Sequence, residues 1–147
     1  NVSFGQGLSL TPLQITRFYG ALVNDGVECT PHFLLSKPQS GETAEYGSDA
    51  VIKDKKAIDD LTSMLKTVVT EGTGKAAAID GFNVAGEKNG GYRKGVYNLA
   101  FTGFLADSSS QLVCFVGANE VPTDGVVTPI FKDIMTTAID RFNIYPE

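Results

Sequence analysis

Gly72-Thr73-Gly74-Lys75-Ala76-Ala77-Ala78-Ile79-Asp80-Gly81-Phe82-Asn83-Val84-Ala85-Gly86, continuing into Glu87-Lys88-Asn89-Gly90-Gly91, is the stretch on which the fold of this chain turns. Gly72 and Gly74 stop whatever precedes them, because glycine loses the most backbone freedom in a helix. Lys75 to Ile79 is small enough for one further helical turn, and Phe82 to Gly86 reads as a short strand. Upstream, Ile58, Leu61, Met64, Leu65, Val68 and Val69 recur at helical spacing, which predicts a helix from about Asp54 to Thr70. Its other face, with Lys53, Lys55, Lys56, Asp59 and Asp60, is a solvated surface. Downstream, Val96–Leu105 and Leu112–Ala118 have the aromatic and branched composition of strands, and Asp107-Ser108-Ser109-Ser110 reads as the hairpin loop between them.

The two ends of the chain read as helices. Thr11-Pro12-Leu13-Gln14 is a capping box, with Pro12 at the first helical position. Leu13, Phe18, Ala21 and Leu22 form the expected apolar face, and Asn24-Asp25-Gly26 the stop. Pro31–Leu35 reads as extended and residues 36–49 as a surface loop. A last helix opens at Thr128-Pro129 with a wide stripe of Ile130, Phe131, Ile134, Met135, Ala138, Ile139 and Phe142, and Pro146 follows it. An apolar strand needs cover on both faces. The expected class is therefore α+β, an antiparallel sheet covered by helices on both faces.

At 147 residues the chain is one ordinary domain. A net charge of −5 and a pI near 4.8 leave no basic surface for nucleic acid. Cys29 and Cys114 form no disulfide framework, and Cys114, within an apolar run, reads as a buried free thiol. His32 stands alone in Pro31-His32-Phe33, a loop-to-strand junction; no metal or other cofactor is expected.

The opening stretch closely resembles the approach to the active-site strand of penicillin-binding transpeptidases, in which a Gly-Thr-Gly turn and a Val-Ala-Gly step lead into Lys-Thr/Ser-Gly-Thr. Three further blocks are similar to that family and occur in its order: Phe4-Gly5-Gln6-Gly7-Leu8-Ser9-Leu10-Thr11-Pro12-Leu13-Gln14, Phe101-Thr102-Gly103-Phe104 and Pro129-Ile130-Phe131-Lys132-Asp133-Ile134-Met135. The likeness is strongest to the monofunctional class B enzymes of division and elongation. It implies a single partial domain over 1–147, the C-terminal portion of a D,D-transpeptidase lacking its N-terminal front part. It also implies a peptidoglycan stem peptide or a β-lactam as the parent's ligand, cell-wall synthesis proteins as partners, and a place in the cell envelope outside the cytoplasmic membrane. A non-catalytic relative acting as a scaffold is the alternative reading.

The family's chemistry needs a Ser-x-x-Lys nucleophile motif, a Ser-x-Asn, and a Lys-Thr/Ser-Gly strand edge that binds a carboxylate and helps to form the oxyanion hole. The resemblance places the first two upstream of Phe4, so no catalytic residue is assigned here and the chain alone is expected to be inactive. Ser63-Met64-Leu65-Lys66 matches Ser-x-x-Lys literally but lies on the wrong helix, and is expected to be a solvated face. The third motif is altered, and three readings stand open. Without a gap, Glu87 replaces the lysine and would repel a carboxylate. With one inserted residue, Lys88-Asn89-Gly90 stands in as a substrate-binding Lys-x-Gly, provided that a bulge absorbs the slip. Otherwise Asn89-Gly90-Gly91 is a turn that shortens the strand. By the same resemblance, Leu112–Ala118 would pair with a strand outside this chain, which predicts self-association through that edge.

Overall fold

A computed structural model describes residues 8–147; Phe4–Gly7 of the first sequence block lie outside the described residues. In chain order the elements are α1 (Pro12–Val23), β1 (Val27–Cys29), β2 (Ser36–Lys37), β3 (Glu42–Thr43), β4 (Ser48–Ala50), α2 (Lys55–Thr70), a 3-10 turn at Lys75–Ala77, β5 (Asn83–Arg93), β6 (Val96–Ala106), β7 (Val113–Val121) and α3 (Val127–Phe142). The main sheet is antiparallel in the order β5-β6-β7. Helix α1 packs on one face, where Tyr19 and Leu22 meet Ala85, Phe104 and Ala106. Helix α3 packs on the other, where Phe131 and Met135 meet Val84, Phe101, Leu105 and Val116. Helix α2 contributes Leu65 to the first cluster and Val69 to the second. The α+β sandwich expected from the sequence is therefore present.

Local chemistry explains the helix ends. Thr11 Oγ1 accepts from the Gln14 N–H at 3.2 Å, and Gln14 Oε1 accepts from the Thr11 N–H at 2.8 Å, so both sides of the capping box are made. Asp54 caps α2 by accepting from the Lys56 and Ala57 N–H groups. Asn143, at φ 51°, ends α3 in the left-handed conformation.

Several expectations are corrected. The strand begun at Phe82–Gly86 runs on as β5 to Arg93, so Asn89-Gly90-Gly91 is not a turn. The reversal comes at Lys94 (φ 52°) and Gly95 (φ 89°), a two-residue hairpin loop of the kind whose twist matches the strands it joins. Pro31–Leu35 forms no strand; β2 pairs with β3 inside the segment 36–49 that reads as loop, and β4, at the end of that segment, pairs with β1 upstream of Pro31. Leu13 and Phe18 of α1 are exposed, because Tyr19, Ala21 and Leu22 set the buried side. In α3 only Phe131 and Met135 of the predicted stripe are fully buried, while Ile130, Ile134 and Phe142 face outward. In the sheet it is β6, not β7, that is buried on both faces, since β6 is the central strand.

The motif glycines have a packing reason. Phe101, fully buried, lays its ring where side chains at Gly74, Gly86 and Gly103 would stand. A Cβ at these positions would come within 3.3, 2.7 and 3.0 Å of its ring atoms. The ring then meets Phe131 edge-on, with centroids 4.8 Å apart. Next along β6, Thr102 is 1% exposed and its hydroxyl has no hydrogen-bond partner among the described residues. An unsatisfied buried hydroxyl costs about 1–3 kcal/mol. Thr102→Val keeps the shape and removes that cost. It is expected to raise the urea unfolding free energy by about 1 kcal/mol.

Candidate functional site on the outer edge of strand β5

Strand β5 pairs with β6 along one side, and its outer side carries no strand among the described residues. Peptide N–H and C=O groups along such an edge are free to pair with an extended ligand. The β5–β6 register runs without a shift, through Glu87↔Thr102, Lys88↔Phe101, Asn89↔Ala100 and Gly90↔Leu99. No bulge therefore absorbs a one-residue slip between these strands. Alternation then turns Glu87 and Lys88 to opposite faces.

Lys88 faces the α3 side. Its side chain is only 14% exposed, and its ammonium lies 3.4 Å from Asp124 Oδ2. With Thr73, Gly90, Tyr92, Tyr97 and Asp124 it lines a shallow cleft of about 230 Å³ at the strand edge. Asn89 faces the opposite side from Lys88. Gly90 has a structural role of its own, since a Cβ there would sit 2.6 Å from both Leu99 Cδ2 and the Asn98 carbonyl oxygen. The three residues singled out in the sequence thus share one edge but not one face.

Glu87 faces the α1 side, half-buried, directly across from Thr102. Burial pushes its carboxyl above the ordinary value. Tyr19 of α1 is pushed up to about 12, by burial and then by the Glu87 charge. Neither partner is signalled by local sequence spacing. Asp124 is 36 residues from Lys88, and Tyr19 belongs to a different helix.

No hydrogen bond joins Ser63 to Lys66 among the described residues. Ser63 is exposed, and Lys66 Nζ instead lies 2.5 Å from Asp107 Oδ2, which also accepts from Asn83 Nδ2 at 2.9 Å. The hydrogen bond from Lys66 is the largest cause holding the Asp107 carboxyl below its ordinary value of 3.8. A lowered folded-state value adds stability above about pH 3.8, and that stability is lost as pH falls through the lower, folded value. Asp107 is 49% exposed, so solvent screening keeps the effect small. Lys66→Met is expected to cost less than about 1 kcal/mol at pH 7. In urea titrations that difference should vanish in strong acid. Elsewhere Cys114 is partly buried against the core and its thiol is pushed up by burial, while Cys29 is exposed. His32 stacks on Tyr46 at 3.7 Å, and its Nδ1 lies 2.8 Å from the Thr30 carbonyl oxygen, which fixes it as a loop residue.

Residues 1–136 match the family model described as "Penicillin binding protein transpeptidase domain". This chain belongs to that family. It is similar to stage V sporulation protein D of Bacillus subtilis (30% identity, covering 98% of this chain and 25% of that protein). It is also similar to the peptidoglycan D,D-transpeptidase FtsI of Buchnera aphidicola (30% identity, 99% and 27%). Among solved structures, a peptidoglycan glycosyltransferase from Burkholderia ambifaria superimposes with a TM-score of 0.83 at 27% identity, over 99% of this chain and 45% of that one. The curated relatives are class B penicillin-binding proteins, as the sequence blocks implied. The chain spans about a quarter of their length. The transpeptidase family acts on peptidoglycan stem peptides and binds β-lactams.

Proposed function

We propose that this chain is the C-terminal segment of a peptidoglycan D,D-transpeptidase, and that it supplies the substrate-facing rim while another segment supplies the attacking serine. The observation that carries this reading is the free outer edge of β5, which follows directly on the Gly-Thr-Gly and Val-Ala-Gly steps. The parent would attack the penultimate D-Ala of a stem peptide, form an acyl-enzyme and pass the acyl group to an amine. Lys88, Asn89 and Gly90 are the rim residues of this reading, with Lys88 the cation beside the edge. The setting would be the cell envelope outside the cytoplasmic membrane, with the anchor in another part of the parent and other cell-wall synthesis proteins as partners. Among the described residues no helix is long and apolar enough to cross a membrane.

The test is to label the full-length parent with a fluorescent penicillin and map the adduct. A single adduct on a serine outside residues 1–147 supports the reading. An adduct within this chain, or a parent that takes no label, overturns it, and the second outcome points to the scaffold alternative raised by Glu87.

The same reading bears on the other edge of the sheet. Strand β7 pairs with β6 on one side, its other side carries no strand among the described residues, and its side chains from Val113 to Phe115 are half-buried. Two copies joined through Leu112–Ala118 would satisfy this edge. Sedimentation of the isolated chain is expected to show a concentration-dependent dimer. A monomer at all concentrations, with slowly exchanging Val113–Ala118 amides, would contradict this.

A further inference from the structure

The α3 face of strand β5 carries a cleft whose chemistry differs from that of the strand edge. Lys88, Gly90 and Tyr92 alternate along β5 on that face, and Tyr97 of β6 stands directly across from Tyr92. Gly90 puts no side chain between its two neighbours, so the cleft opens there over buried Leu99. Along the strand, the Lys88–Asp124 pair stands at one end and the two tyrosines at the other. From Lys88 to Tyr92 the strand rises about 13 Å. The volume of about 230 Å³ is below the range of drug-sized sites, and suits one six-membered ring whose continuation lies in solvent.

The lining groups narrow the ligand. The Lys88 ammonium and the Asp124 carboxylate neutralise each other, so neither a lone anion nor a lone cation is drawn in. The ammonium has three donors and spends one of them on Asp124 Oδ2, at 3.4 Å; Asp124 has no other partner among the described residues. The pair therefore presents a charged donor and a charged acceptor side by side. A vicinal diol matches it: one hydroxyl oxygen accepts from Lys88 while the neighbouring O–H donates to Asp124. At the other end Tyr92 is 66% exposed, and its ring lies 5.0 Å from that of Tyr97, tilted by 54°. The faces of such rings are electronegative and receive polarised C–H groups. A pyranose offers both features at once, hydroxyls on its rim and C–H groups on its faces. A purely apolar ligand would leave the charged pair without new partners as it lost water. A phosphate-bearing one meets a chain of net charge −5.

We infer that this cleft binds a pyranose with a free vicinal diol, the diol on the Lys88–Asp124 pair and the C–H face of the ring against Tyr92. The site lies on the sheet face opposite Glu87 and does not rest on acyl transfer by the parent. A chain that binds the sugar and a parent that takes no penicillin label are separate results.

The experiment is an NMR titration of the 147-residue chain, with tyrosine rings and backbone amides labelled. The probes are methyl glucoside, its permethylated derivative, an N-acetylglucosaminide methylated so that no vicinal diol is free, maltotriose and acetate. Methyl glucoside should move the Tyr92 ring and the Gly90 and Gly91 amides saturably. It should bind about tenfold more tightly than either diol-free sugar, the worth of one hydrogen bond to a charged group. Tighter binding by maltotriose would identify a glycan chain as the source of the ring; equal binding would identify a free sugar. Asp124→Asn and Lys88→Met should each weaken methyl glucoside about tenfold, for the same reason. Tyr92→Ala should weaken it severalfold. Tyr92→Phe, which keeps the ring, should bind as the wild type does, and so separates stacking from an effect on the fold. The inference is overturned if no sugar saturates, if either diol-free sugar binds as tightly as methyl glucoside, if acetate binds more tightly than methyl glucoside, or if neither Asp124→Asn nor Tyr92→Ala changes binding.

Discussion

Phe101→Ala is expected to lower the unfolding free energy by about 3–5 kcal/mol, with an unchanged denaturant slope. The ring is fully buried, touches Phe131 edge-on and fills the space left by Gly74, Gly86 and Gly103. None of these glycines can extend a side chain to refill the void, and the backbone around them is fixed by the β5–β6 ladder and the end of α2. Partial collapse is therefore unavailable, which puts the loss at the upper end for such truncations. Gly86→Ala should destabilise too, by about 1–3 kcal/mol, because its Cβ would lie 2.7 Å from the ring and from the Thr102 carbonyl oxygen. The double variant should cost less than the sum of the two, since removing the ring removes part of the clash. Strict additivity in urea melts would show that ring and glycine do not share one space.

Gly26→Ala is expected to cost about 3 kcal/mol, combining a left-handed backbone penalty with overpacking. Gly26 has φ +83°, and a Cβ there would stand 1.9 Å from the Ile52 carbonyl oxygen. The same residue ties two elements together. Its N–H donates to the Ala21 carbonyl at 2.7 Å, closing α1, while its own carbonyl accepts from Val51 and Ile52 N–H at 3.0 and 3.1 Å, fixing the approach to α2. A shift that relieves the clash must break one of those bonds. Gly41→Ala is the control. Its φ is +71° and a Cβ would meet nothing within 4 Å, so only the conformational penalty of about 1–2 kcal/mol remains. Equal losses at the two positions would refute the steric part of the account.

The elements whose signals are local were legible in the sequence. The Thr11 capping box, the Asp54–Thr70 periodicity and the glycine stop at Gly72 each depend on residues a few positions apart, and each is found where it was expected. Of the three readings open for this stretch, the turn fails: Asn89-Gly90-Gly91 has turn composition, but Gly90 serves close strand approach and the reversal uses Lys94-Gly95. The exposed halves of the α1 and α3 stripes could not be sorted from the buried halves by periodicity alone, since the period shows that a stripe exists and not how much of it is covered. The candidate site was legible only as an edge. That Glu87 and Lys88 part to opposite faces follows from an unbroken register with β6, and register is a long-range property that local spacing does not carry.

The central claim is that this chain holds a binding rim without an attacking hydroxyl. Intact-mass spectrometry of the isolated chain after incubation with excess penicillin tests it most directly. The predicted result is an unmodified mass for the wild-type chain and for Ser63→Ala alike. A stoichiometric penicilloyl adduct on the wild-type chain would contradict the claim, and its loss in Ser63→Ala would place the nucleophile on α2.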